Sequence, residues 1–399
     1  MTRKIAILLF VVLSIWSGRV TFQEMTIGEG PRDSSAELVG ESREVALVAN
    51  AVAGTVSVID LGQRTVIATL DVTPDGKQVG PARNLGQWFA QSKLESAAGL
   101  NYAQDTDLSR DGRVIFVSRG FLGDVAAFDL ASGDLLWRSP VPGRRADHMT
   151  LSADGKRLFV SALIRGGNKV LVMDTDSGLR LGGIDTGPWP HDIHLSPDDR
   201  YLYVASLGNM ELPAAARGAE PGAYVLTIAD AESLEVIRDI AFPAGVRPFA
   251  VSSDQLKLYA QLSGVHGLAV WDLEAGAGLA ELALPEQAGV TAADWDFEAP
   301  HHGLALTPDN ATLCLAGRAS DYVAIVSTDP LALRSAVPVG DAPGWAAVDA
   351  AGEYCVVPNT RSDDVSIVSL VDALEVARIK TDRAPKHVTI GRIPADLFD

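Results

Sequence analysis

Cysteine is almost absent from this chain: two residues, Cys314 and Cys355, in 399. So few exclude a disulfide framework and a cysteine-rich zinc module. No Cys-x-x-Cys-His occurs either, so covalently attached c-type haem is excluded. Positive charge is also short. Lys and Arg number 33 against 51 Asp and Glu, which leaves a net charge of −18. The acids are spread along the chain, and a field of that sign repels phosphate backbones and anionic lipid, so nucleic acid is not an expected partner. Arg144-Arg145 is the one adjacent arginine pair. After the N-terminus no apolar run is long enough to span a membrane. Helical periodicity is missing everywhere except Trp88 to Ala98. Gly-x-Ser-x-Gly, Walker, dinucleotide and EF-hand motifs are all missing.

What is present begins with an export signature. Arg3 and Lys4 precede an apolar run from Ile5 to Trp16, too short for a comfortable membrane span and right for a signal-peptide core. Ser17 and Gly18 make a mediocre cleavage site, so an uncleaved anchor is the alternative, and the only expected membrane contact. The chain divides into a signal peptide or anchor over 1–25, a linker over 26–43 and one domain over 44–399. An extracytoplasmic location, periplasmic or secreted, follows.

One unit recurs through that domain. An apolar strand ends in Ser-x-Asp-Gly or a relative, a second strand follows, then a Val-x-Val-x-Asp strand, a turn and a last strand. The turns start at Ser109, Ser152, Ser196, Ser252, Thr307 and Asp349, and a last first strand ends near Gly391, at intervals of 43, 44, 56, 55, 42 and 42 residues. A four-stranded propeller blade takes roughly 40–45 residues. Strict alternation marks Val56-Ser57-Val58-Ile59-Asp60 and Val170-Leu171-Val172-Met173-Asp174. The Ser-x-Asp-Gly sites and the strand-ending aspartates Asp60, Asp129, Asp174, Asp230 and Asp272 read as hairpin turns, not ion sites. Residues 44–72 lack a first strand and 386–391 supply only one, so the two ends share a seventh blade and close the ring. The expected fold is an all-β, seven-bladed propeller of four-stranded antiparallel blades. Cys314 and Cys355 fall on equivalent strands of neighbouring repeats. They read as two buried small hydrophobes, with contact between blades as the alternative.

Val45-Ala46-Leu47-Val48-Ala49-Asn50, Gly54-Thr55-Val56-Ser57-Val58-Ile59-Asp60 and Leu202-Tyr203-Val204-Ala205-Ser206 carry a resemblance. They resemble the YVTN-type propeller repeat, over about residues 44–391, whose relatives include the cytochrome d1-type propeller. The resemblance implies the fold and an extracytoplasmic setting, and hardly constrains activity.

Counting back from each turn Ser aligns the inner strands. Five residues before it stand Gln104, Asp147, His191, Arg247, His302, Gly344 and Lys386. Four before it stand Asp105, His148, Asp192, Pro248, Gly303, Trp345 and His387, and two before it are Asp107 and His194, with His301 just outside. Six of the seven histidines enter this short segment, and the seventh, His266, lies in a loop opening on the same face. First strands line a propeller's channel, so the segment is one mouth of it. The insertions 73–102, 208–222 and 285–300 fall there too, bringing Trp88, Phe89, Trp295 and Phe297 as a possible roof.

A lone channel histidine is usually structural, but six converging point to a site. His148, His194, His302 and His387 are the expected metal ligands, with His191, His301 and His266 as replacements. His302 has odd parity to the others and must precede regular pairing. Asp105, Asp107, Asp147, Asp192, Arg247, Trp345 and Lys386 are expected to orient ligands or bind substrate. Imidazoles without thiolates suit iron or copper before zinc. The plan is similar to propellers that hold iron or copper on the axis through histidines, as in carotenoid-cleaving oxygenases and nitrous oxide reductase. The expected function is a metal-dependent, redox enzyme acting on a small molecule. The alternatives are a non-catalytic propeller gripping a ligand or protein partner at this upper face, and a lactonase-like hydrolase, which favours oxygen-rich calcium sites.

Overall fold

The computed structural model describes residues 26–27, 33–77, 100–142, 145–162, 169–219 and 222–399. The export segment over 1–25 and the aromatic pair Trp88 and Phe89 lie outside them. Seven antiparallel sheets form the blades of a propeller. Blade 1 runs outward from the axis as Pro385–Pro394, Ser42–Asn50, Thr55–Asp60 and Thr65–Asp71. The C-terminal strand pairs along the whole N-terminal one, from Ser42 opposite Pro394 to Asn50 opposite Pro385. The two ends of the chain therefore close the ring, as the repeat count predicts.

Blades 2 to 7 begin on Asp105–Leu108, Ala146–Leu151, Pro190–Leu195, Val246–Val251, Leu304–Leu306 and Ala347–Val348. Blade 2 gains a fifth, outermost strand, Thr26–Ile27, laid against Leu135–Pro140. The added strand covers one exposed sheet edge, and its residues fall inside the stretch that reads as linker.

Local chemistry accounts for the repeat. In the four Ser turns, and with Thr307, the hydroxyl donates to the Asp carboxylate and accepts a backbone N–H from the next strand, as Ser109 does with Asp111 at 2.6 Å and Val114 at 2.8 Å. Gly112 closes the turn at φ +70°, where a Cβ would also strike the Arg392 carbonyl at 2.4 Å, so only glycine fits. The strand-ending aspartates accept turn amides, Gln63 on Asp60 and Ser177 on Asp174 both at 2.8 Å. The repeat asparagines work alike. Buried Asn50 donates to Thr55 and Ser57, and Asn359 to Asp364 and Ser366, at 2.8–3.0 Å. Each ties two adjacent strands at their upper end.

The apolar faces pack blade on blade. Val45, Leu47, Val56 and Val58 of blade 1 meet Ile115, Val117 and Phe128 of blade 2, all wholly buried. One expectation is corrected at such a seam. Cys314 and Cys355 are not two separate hydrophobes but a disulfide joining blades 6 and 7, with Cα atoms 6.4 Å apart. Equivalent strand positions in adjacent blades face each other across the seam, and that spacing suits a bridge.

Candidate metal centre

The upper mouth is built on a repeated irregularity. At the start of the inner strand in blades 3, 4, 5 and 1, the pairing skips one residue. The bulges contain Asp147-His148, His191-Asp192, Arg247-Pro248 and Lys386. A bulge sets two residues against one, so strict alternation fails and consecutive side chains both gain access to the axis.

Two layers result. The upper one is a run of contacts, mostly hydrogen bonds, through residues five before each turn. Lys386 Nζ donates to Gln104 Oε1 at 2.8 Å, and Gln104 Nε2 donates to Asp147 Oδ1 at 2.7 Å. Asp147 Oδ2 lies 2.9 Å from His191 Nδ1, His191 Nε2 faces His302 Nε2 at 3.3 Å, and His302 Nδ1 meets the Gly344 carbonyl at 2.9 Å. Arg145 also donates to Asp147 Oδ1, at 2.7 Å. His302 sits ahead of Leu304–Leu306, and Gly303 follows it at φ +140° with the Trp345 backbone 2.4 Å from where a Cβ would stand.

The layer beneath holds Asp105, His148, Trp345 and His387. Asp105 reaches His387 Nδ1 at 2.7 Å and His148 Nδ1 at 3.4 Å. The His148 ring stacks on Trp345 with centroids 4.6 Å apart, and His387 lies 4.3 Å from the same indole. His148 Nε2 is 3.3 Å from the Gln104 amide nitrogen, which links the layers.

This arrangement assigns tautomers. Asp147 is ionised: burial opposes its charge, but Arg145, His191 and His148 hold it well below the ordinary carboxylate range. His191 Nδ1 therefore donates to Asp147, and His302 Nδ1 donates to the Gly344 carbonyl. Burial holds His191 down at about 4 despite Asp147, and burial with the fields of His191, Arg247, Arg318 and Lys386 holds His302 well below its usual range. Both rings are neutral, so both Nε2 atoms are bare acceptors facing each other inside the protein. Two nitrogens bound to one tetrahedral ion at ~2.0–2.1 Å stand roughly 3.3 Å apart, which is the spacing found. Among the described residues two buried groups are able to hold an ion, Asp147, His148, His191 and Asp105, His148, His387, sharing His148; His302 faces the first through His191 but is in neither. The residues fit a metal.

The other expected residues are placed as follows. His194 lies deeper, with 44% of its side chain open to the channel and Asp192 at 3.1 Å, outside both groups. His301 and His266 form a separate pair 3.2 Å apart near Trp295. Asp105, Asp107 and Asp192 have a structural duty as well: each accepts a backbone amide of the next inner strand, from Met149, Leu151 and Phe249, at 2.8–3.0 Å. Burial pushes Asp107 up to about 7. Burial brings Lys386 down to about 7, helped by Arg145, Arg318 and Arg247. Arg247 is 3% exposed and donates to Ser263 Oγ and the Phe297 carbonyl.

Gln104, Arg145 and Gly344 belong to this run of contacts but were not singled out as site residues by sequence. Gln104 and Gly344 occupy the same slot as His191 and His302, and that alignment was the available signal. The insertion over 285–300 roofs part of the face through Asp296, which pairs with Arg318 and Arg361 at 3.0 and 2.9 Å, and Glu298, which pairs with Arg217. Beneath it a cavity of about 180 Å³ lies off the axis, lined in part by Asp296, Arg318 and Arg361.

No family model matches the chain, and no curated protein matches it. Among solved structures it is similar to a hydrazine synthase structure from Kuenenia stuttgartiensis, with a TM-score of 0.63 and 16% identity, over 88% of this chain and 98% of that one. At that identity the likeness is one of fold, the seven-bladed propeller.

Proposed function

We propose that this protein is an exported metalloenzyme whose upper channel mouth holds one transition-metal ion. One observation carries the reading: His191 and His302, each fixed through Nδ1, turn bare Nε2 atoms toward each other at 3.3 Å. His148 stands beside His191, their ring centroids 4.7 Å apart, in one of the buried groups able to hold an ion, with His387 beside it on Asp105. His191 thus takes the place that sequence spacing gave to His194. A nitrogen set without thiolate suits iron or copper before zinc, and so few protein ligands leave positions open for a substrate. The bound metal would supply redox or Lewis-acid chemistry. Asp147 orients His191, Gln104 bridges the two layers, and Trp345 keeps water from the lower one.

Export is supported by Arg3-Lys4 with the Ile5–Trp16 run and by the Cys314–Cys355 disulfide, since such bonds persist in oxidising compartments. The repeat's likeness to the YVTN type favours distant membership of that group. Elemental analysis of protein purified from an exporting host should find about one equivalent of metal, absent from a His191→Ala, His302→Ala double variant. No metal in wild-type protein, even after incubation with ferrous or cupric ion, overturns the reading and leaves a non-catalytic binding propeller.

A further inference from the structure

The chain is strongly acidic, yet its metal-site mouth is not. Arg145, Arg247, Arg318 and Lys386 all bear on the upper layer, three of them from starts of inner strands or the residue just before one. Arg145 is matched by Asp147 at 2.7 Å, and Arg318 shares Asp296 with Arg361. Glu298, the other acid of the roofing insertion, is taken by Arg217 at 2.6 Å. Asp105 and Asp192 lie a layer lower, committed to imidazoles and backbone amides.

Two cations remain with neutral partners only. The buried Arg247 guanidinium donates to a serine hydroxyl and a backbone carbonyl, and Lys386 Nζ to the Gln104 amide oxygen. Arg247 occupies blade 5's place in the upper slot, between His191 of blade 4 and His302 of blade 6. Blade 5 is the one blade this run of contacts skips. Lys386 stands across the ring, beyond Gln104 and Asp147. A buried cation with no carboxylate in contact is costly; Glu298 and Asp147 act on Arg247, and Asp147 on Lys386, only from beyond hydrogen-bond range, and a metal ion at the histidine pair adds to the positive excess.

We infer that the substrate, or an obligatory co-ligand of this site, is a small anion, a carboxylate or an inorganic oxyanion, seated against Arg247 and Lys386 beside the His191–His302 pair. The inference deepens the metal reading but does not stand or fall with it. Within an acidic molecule such a site also selects: an anion is repelled by the general surface and accepted only at this mouth, where Arg247 and Lys386 both act on His302.

The test is calorimetric titration of the folded protein with acetate, inorganic phosphate and neutral acetamide, before and after chelator treatment, with metal content measured on each sample. Saturable binding of acetate or phosphate and none of acetamide is expected. Lys386→Met should weaken it at least tenfold, while Arg378→Gln, a surface arginine paired with Glu375, leaves it unchanged. Arg247→Met should do the same as Lys386→Met; because Arg247 also holds the Phe297 carbonyl, Lys386→Met decides if that variant does not fold. No anion binding in wild type, or equal affinity in Lys386→Met, overturns the inference even where metal is retained. Anion binding that survives in protein unable to take up metal sinks the metal reading alone.

Discussion

At the scale of single residues, the site depends on which nitrogen of each histidine carries its proton. Asp147 fixes that for His191 and is wholly buried, so it acts through His191 as a positioning residue. Partners of this kind are worth roughly 10–100-fold in metal affinity. Asp147→Asn is therefore expected to weaken metal binding by that order, read by competition with a chelator of known affinity, with the circular dichroism spectrum unchanged. Asp192→Asn is the contrasting case. Asp192 accepts the Phe249 amide and touches His194, not the facing pair. Its loss should lower the melting temperature and leave metal affinity as it was. If both variants shift affinity equally, Asp147 has no special role in orienting His191.

At the scale of strands, most of the architecture was legible because it is repetitive. The turn serines, the strand-ending aspartates and the missing first strand each have a local cause that composition and spacing carry. The site was legible only in outline. Slot counting brought the histidine-bearing segments to one mouth, and strict alternation then ranked His194 above His191. The bulges at Asp147-His148 and His191-Asp192 break that alternation, and nothing in one blade's sequence announces a bulge. The disulfide was illegible for a related reason. Pairing of Cys314 with Cys355 depends on how closely two blades abut, a property of the ring and not of either strand. Since that bond ties blades 6 and 7, its removal tests how far the seam depends on it. Such a bridge contributes about 2–4 kcal/mol. Cys355→Ser is expected to lower the unfolding free energy by that amount, read as a lower chemical-denaturation midpoint, and added reductant should bring wild type to the same midpoint. A variant as stable as oxidised wild type would mean the seam is held by packing alone.

At the scale of the whole molecule, ring closure places the site, because Lys386 and His387 enter the mouth only through the C-terminal strand. That strand contributes Val388 and Ile393, both buried, and the residues after it add Leu397 and Phe398 to the seam between blades 1 and 2. Burying two aliphatic side chains is worth about 3–6 kcal/mol, against a total stability of about 5–15 kcal/mol for a folded domain. Loss of the nine-residue ladder with Ser42–Asn50 comes on top. Deleting residues 384–399 should therefore abolish cooperative unfolding. Closure, not terminal position, is the cause, and a circular permutant separates the two. The Ala395 amide donates to the Glu41 carbonyl at 3.0 Å, so a short linker from Asp399 to Ser42, in a chain without residues 1–41, spans the two ends of blade 1's inner strand pair. New ends opened at the turn holding Gly276, between the two outer strands of blade 5, leave every inner strand intact. That permutant is expected to unfold in one transition and to bind metal like wild type, while the truncation does neither. Cooperative melting of the truncation would mean that six blades suffice, and failure of the permutant would mean that the chain's native order matters beyond closing the ring.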